Sequence, residues 1–391
     1  MPVIIKGERI LDGTGAAPLL DAGVVVEGDT IRHVARLADL PAAAATWETI
    51  DLSHYTILPG LIDVHSHLCM DAMGDEWQQM RQPPLDVALR AVKYARICLA
   101  SGVTTMRTVG ERYFIDVAYK QALEDGTFPG PHVLISTRPL IATNGFGDHI
   151  GFVADGPEEI RKVVRGNLKA GADWIKVFVT GGGGNTKPSS FQQFYSLDEI
   201  RAAVDVAHSF GIRVAAHAHG GPGMRAAIEA GVDTIEHGHY VTDDDVALMA
   251  EKGTALVATQ TINLFDRGSD RPVAPTLLEH KARVKRIAGQ NVKKAREHGV
   301  RVTAGTDAMH GLMPVEVEYL VTYGGLTAME AIVAATKTAA EVCGVEQETG
   351  TLEPNKRADI IAVEGNPLED IRTLQNVRFV MKAGQVLVRS K

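Results

Sequence analysis

The sequence predicts an α/β protein: a (β/α)8 TIM barrel carrying a small β-sandwich domain formed from both chain termini. Three observations predict it. The middle of the chain repeats a helix–glycine–strand unit, and both ends alternate apolar and polar positions as antiparallel strands do. Histidines and an aspartate recur where the repeating strands end.

The bulk properties agree. A chain of 391 residues exceeds the commonest single-domain size but accommodates a barrel with a small appendage. Hydrophobic residues at 45% and charged residues at 23% are the make-up of an ordinary globular protein. A net charge of −8 argues against nucleic acid or an anionic membrane surface as partner. Cys69, Cys98 and Cys343 are few, odd in number and far apart, so they suggest neither a disulfide framework nor a cysteine zinc site. The opening MPVIIKGERILDG reaches charge by residue 6, and no run approaches the roughly 18 apolar residues of a membrane span. A cytoplasmic protein without membrane contact is expected.

The elements follow in order. VIIKGERILDGTG, GVVVEGDTIRHVA and ETIDLSHYTI alternate between Gly/Asp clusters, and ADIIAVEG and NVRFVMKAGQVLVRS repeat that texture at the other end. Residues 1–58 with 353–391 are therefore assigned to the sandwich and 59–352 to the barrel, with LPG at 58–60 as the junction. Within the barrel the unit recurs as LASG-VTTMRTVG, LKAG-ADWIKVFV, HSFG-IRVAAH, IEAG-VDTIEH, AEKG-TALVATQ and REHG-VRVTAGTD. Each glycine caps a helix in the left-handed conformation before a buried parallel strand begins. GLIDVHSHL and HVLISTRP (132–139) complete eight strands, and helices are expected over 84–100, 157–169, 197–209, 279–298 and 327–341. An open doubly wound sheet is the alternative, but no glycine-rich fingerprint follows the first strand.

Side chains at i and i+2 of a strand share one side, so His65 and His67 of GLIDVHSHL converge. That stretch alone reads more readily as two hydrogen-bonded core histidines. The other strand ends tip the balance, because barrel active sites sit there. Strand 4 holds Lys176, strand 5 ends in His217 and His219, strand 6 in His237 and His239, and strand 8 in Asp307.

LPGLIDVHSHL, GVTTMRTVG, WIKVFVTGG, VAAHAHG, TIEHGHY, VTAGTDA and RADIIAVEGNPLEDI resemble the successive motifs of the amidohydrolase superfamily over nearly the whole chain. The similar branch contains Xaa-Pro dipeptidase-like, arginine/lysine carboxypeptidase-like and ochratoxin-hydrolysing enzymes, with imidazolonepropionase more distant. The resemblance implies two divalent metal ions. His65, His67 and Asp307 would hold the more buried ion, His217 and His237 the second, and Lys176, carboxylated by CO2, would bridge them. Zinc suits imidazole and carboxylate ligands, and manganese, cobalt or iron also fit such a site. The implied function is hydrolysis of an amide-type C–N bond in a dipeptide, N-acyl amino acid or related small amide. A metal-bridging hydroxide would attack and Asp307 would carry the proton.

The resemblance also marks Tyr240, where related peptidases have a tyrosine contacting the substrate's carboxylate. It breaks at TNGFGDH (143–149), where Asn144 and Phe146 replace a glycine and a histidine, and where His149 can reach the gap. Tyr240, His149 and Asn144 are thus the candidate substrate contacts. Arg107–Thr108 stands where many relatives have Arg–Asp, and loop 181–195 has the glycine and aromatic content of a substrate cover. His219 and His239 are read either as orienting the ligands or as exposed. A mononuclear deaminase is a competing reading, but Gly220 occupies the place of the deaminase glutamate. A lactonase or ester hydrolase would use the same activated water, and a non-catalytic scaffold would be expected to lose ligands. A homo-oligomer acting on a small-molecule substrate is expected.

Overall fold

In the computed structural model, residues 2–41, 44, 46–72, 74–182, 190–265 and 275–389 are described. The N-terminal segment forms β1 (Val3–Ile10), β2 (Leu19–Glu27), β3 (Thr30–Arg36) and β4 (Glu48–Pro59). The chain then passes Gly60 into the barrel.

The barrel strands are β5 (Leu61–Ser66), β6 (Val103–Thr108), β7 (His132–Leu134), β8 (Leu140–Ile141), β9 (Phe152–Val153), β10 (Trp174–Phe178), β11 (Arg213–Ala218), β12 (Thr234–His237), β13 (Ala255–Ala258) and β14 (Val302–Ala304). All pair in parallel, β5–β6–β7 in one group and β14 through β9 in the other. Two seams join the groups. Ile135 O accepts Asp173 N and Trp174 N at 2.8 and 3.1 Å, and His65 O accepts Asp307 N at 2.8 Å. Every residue of β5, β6 and β10 is buried, as expected of strands covered on both faces.

The helices are α1 (Glu76–Met80), α2 (Pro84–Ala100), α3 (Ile115–Glu124), α4 (Gly156–Lys169), α5 (Leu197–Ser209), α6 (Gly221–Ala230), α7 (Asp243–Lys252), α8 (Thr261–Leu264), α9 (Pro275–Arg286), α10 (Gln290–Glu297), α11 (Met313–Thr322), α12 (Ala328–Ala334) and α13 (Lys337–Cys343). Capping boxes start α5, α7 and α12, each with a Ser or Thr hydroxyl taking the N3 amide while the N3 carboxylate reaches back. The six glycines of the repeated unit all have left-handed φ, from 71° to 94°. No helix among the described residues is long and apolar enough to cross a membrane.

The chain closes with β15 (Ile360–Glu364), β16 (Val377–Lys382) and β17 (Gln385–Arg389). These join the N-terminal strands in one seven-stranded sheet, ordered β17-β16-β15-β4-β1-β2-β3. Ile31 N bonds to Lys356 O, and Ala358 N to Asp29 O, so the β3 edge meets the segment entering β15. The sheet thus curls over a shared core, in which Ile5, Val24, Val26 and Ile31 join Ile360, Ala362, Phe379 and Met381.

Three sequence expectations are corrected. The strand over 132–139 stops at Leu134, because Thr137 takes a φ of 57° and Pro139 has no amide to pair; pairing resumes at Leu140 against Val177. The helix expected over 279–298 is two helices parted at Gly289, and that over 327–341 is two parted around Thr336.

Candidate metal centre

Two groups of possible ligands meet at the C-terminal ends of the barrel strands. His65, His67 and Asp307 form one, and His217, His219 and His237 the other, with the ligand atoms of each group within 4.8 Å of one another. In the first group the outer ring nitrogens are committed. His65 Nδ1 donates to Glu236 Oε2 at 2.6 Å and His67 Nδ1 to Gly110 O at 2.7 Å. Both Nε2 atoms are left facing Asp307 Oδ1, at 3.3 and 3.6 Å. Fixing one nitrogen so that the other presents its lone pair is how metal-binding histidines are held.

In the second group His237 Nδ1 bonds Thr259 Oγ1 at 2.7 Å, and His237 Nε2 faces His217 Nδ1 at 3.0 Å. His219 and His239 are buried, stack at 5.1 Å and meet through their Nδ1 atoms at 2.9 Å. Burial pushes His67 and His217 down to about 3 and holds His237 well below its ordinary value. Neutral imidazoles with available lone pairs result. His237 and Asp307 have φ of 73° and 51°, so two site residues hold left-handed backbone that side chains disfavour.

Lys176 comes from the middle of β10 and is fully buried, and its Nζ has no hydrogen-bond partner among the described residues. Burial pulls it down to about 8, against the pull of Glu236. Its charge acts on His67 and Asp307 of one group and on His217 and His237 of the other. An isolated buried ammonium is costly, and conversion to an anion beside cations removes that cost. The donor set and this orphaned amine therefore fit a pair of divalent ions.

Sequence reasoning missed Glu236. It is fully buried between His65 and Arg107, whose Nη2 donates to Glu236 Oε1 at 2.7 Å. Arg107 also donates to Val64 O at 2.6 Å and lies 4.3 Å from the Trp174 ring centre. Burial opposes ionisation of Glu236, but Arg107 and His65 hold its carboxyl well below the usual range. The available signal was the one that marked Lys176: a charge inside an apolar strand.

A cavity of about 400 Å³ opens over both groups. His149 lines it, buried beside the Trp77 ring at 4.8 Å. Asn144 is exposed and Tyr240 packs on Phe191 at 4.9 Å, and neither lines the cavity. Residues 183–189 of the expected covering loop lie outside the described residues. Gly220 abuts Tyr240, and a β-carbon there would stand 2.8 Å from Tyr240 Cβ.

The chain is similar to known proteins over most of its length. Ochratoxinase of Aspergillus niger is 32% identical over 98% of this chain and 86% of that enzyme. A crystal structure of a Xaa-Pro dipeptidase with bound methionine in the active site superposes with a TM-score of 0.90 at 31% identity, covering 99% of this chain and 100% of that one. The A. niger ochratoxinase crystal structure superposes at 0.88, with 29% identity over 99% and 96% of the two chains. The model of the amidohydrolase family matches residues 56–387, and the chain belongs to that family.

Proposed function

We propose that the chain is a binuclear metal-dependent hydrolase that cleaves an amide-type C–N bond of a small substrate such as a dipeptide or N-acyl amino acid. The observation that carries this reading is the buried, unpartnered Lys176 whose charge acts on both ligand groups. His65, His67 and Asp307 would hold one ion, His217 and His237 the other, and Lys176 would join both as a carbamate. When bound, such a pair lowers the pKa of a water and polarises the substrate carbonyl.

This chain's residues supply the rest. A lysine held near 8 exposes a usable fraction of neutral amine, which adds CO2 to give the carbamate and releases one proton. Asp307 is buried enough to oppose its ionisation, yet His65, His67 and Lys176 hold it well below the usual carboxylate range. As a carboxylate at the cavity floor it can accept a proton and hand it to the leaving nitrogen. Glu236 keeps His65 in the tautomer whose Nε2 faces the site. A glutamate in place of Gly220 would force Tyr240 to shift, which counts against the deaminase reading.

Asp307→Asn tests the proton role. Hydrolysis of a panel of dipeptides and N-acyl amino acids should fall by about three orders of magnitude while the fold persists. Near-normal turnover would remove Asp307 from that role.

A further inference from the structure

One wall of the cavity lies outside both ligand groups. Trp77, on α1, and Phe146, in the turn after β8, flank His149, with ring centres 4.8 and 6.2 Å from it. All three line the same cavity as His217 and Asp307. Phe146 is held in place by Phe178 at 6.0 Å, by His217 at 5.9 Å and by Gly182, where an added β-carbon would stand 2.5 Å from its Cε1.

His149 is 5% exposed, and neither ring nitrogen has a hydrogen-bond partner among the described residues. Glu76 Oε2 stands 3.6 Å from its Nε2, beyond hydrogen-bond reach. A buried polar ring left unbonded is unfavourable, and a polar atom of a ligand in the cavity would offset that cost. Burial holds the ring down to about 4, so at neutral pH it offers one donor and one acceptor. That pair suits a carbonyl, amide or hydroxyl, while the rings of Trp77 and Phe146 suit a flat apolar surface.

Resting on the hydrolase reading above, we propose that Trp77, Phe146 and His149 form a specificity pocket for an uncharged, ring-bearing group on one side of the scissile amide. His149 bonds a polar atom of that group. The substrate class narrows to small amides with one aromatic part, and Phe146 and Trp77 set the preference.

Benzamide and acetamide test this, since they carry the same amide and differ in the ring. Quenching of Trp77 fluorescence reads their binding without turnover, with Trp77→Phe as the blank among the three tryptophans. Benzamide should bind about ten- to a hundredfold tighter than acetamide. Phe146→Ala should weaken benzamide about tenfold and leave acetamide within about twofold, with metal content unchanged. His149→Phe keeps the ring contacts and removes the polar bond, and should weaken benzamide about tenfold. Equal binding of the two probes, or equal loss of both in Phe146→Ala, would overturn the pocket. Equal rates on N-acetyl and N-benzoyl amino acids would overturn it too. Ring-selective binding in a protein that hydrolyses neither supports the pocket and counts against the hydrolase reading alone.

Discussion

Glu236 does not line the cavity, yet it fixes His65, which does. Its carboxylate links the Arg107 guanidinium to His65 Nδ1, so the tautomer of His65 rests on a buried ion pair. Glu236→Gln keeps the shape and removes the charge. It should weaken metal binding about 10- to 100-fold, read by competition with a chelator, and unchanged affinity would contradict the account. His65, His67, His217, His237 and Asp307 were legible as candidates because each is a polar group at or just past the end of an apolar strand, and Lys176 because it is a charge in the middle of one. Glu236 and Arg107 carried a similar mark, but a charge within such a strand reads equally as one half of a buried pair. Trp77 left no mark, since it enters from the segment after β5, where no periodicity operates. Asn144 was singled out by a departure from the family's motif, which says nothing of which way a loop residue points.

At the scale of elements, the glycine-capped repeat was legible because every unit solves one problem, ending a helix and entering a buried strand. The breaks were less so, since the left-handed φ of Thr137 and the bend at Thr336 leave no mark in the apolar periodicity. Glu316, on α11, shows what tertiary packing does to a charge. It is fully buried, and its carboxyl accepts the amides of Gln260 and Thr261 at 2.8 and 2.7 Å, fixing the start of α8. Burial pushes it up to about 8 against those bonds. The native state therefore keeps a proton that the unfolded chain loses near the ordinary glutamate range. The associated stability is complete below that range and is lost as pH rises towards 8. Glu316→Gln mimics the protonated acid, so the decline in Tm between pH 5 and pH 8 should be shallower than in the parent protein. Identical slopes would show that this carboxyl does not ionise there.

For the whole molecule, the two ends of the chain build one curled sheet, while eight strand units between them close a barrel through the seams at Ile135 and His65. The second seam matters for function, because the Asp307 amide that closes the barrel belongs to the residue whose carboxylate faces His65 and His67. A metal held by Asp307 would therefore be coupled to barrel closure, and a chelator should lower Tm by removing a ligand that favours the native state. The most direct test of the binuclear assignment is metal content per chain by elemental analysis, on protein prepared with bicarbonate and without chelators. About two ions per chain are expected, falling in Lys176→Ala and partly restored by a short carboxylic acid. About one ion per chain, or a Lys176→Ala protein with undiminished metal, would contradict it.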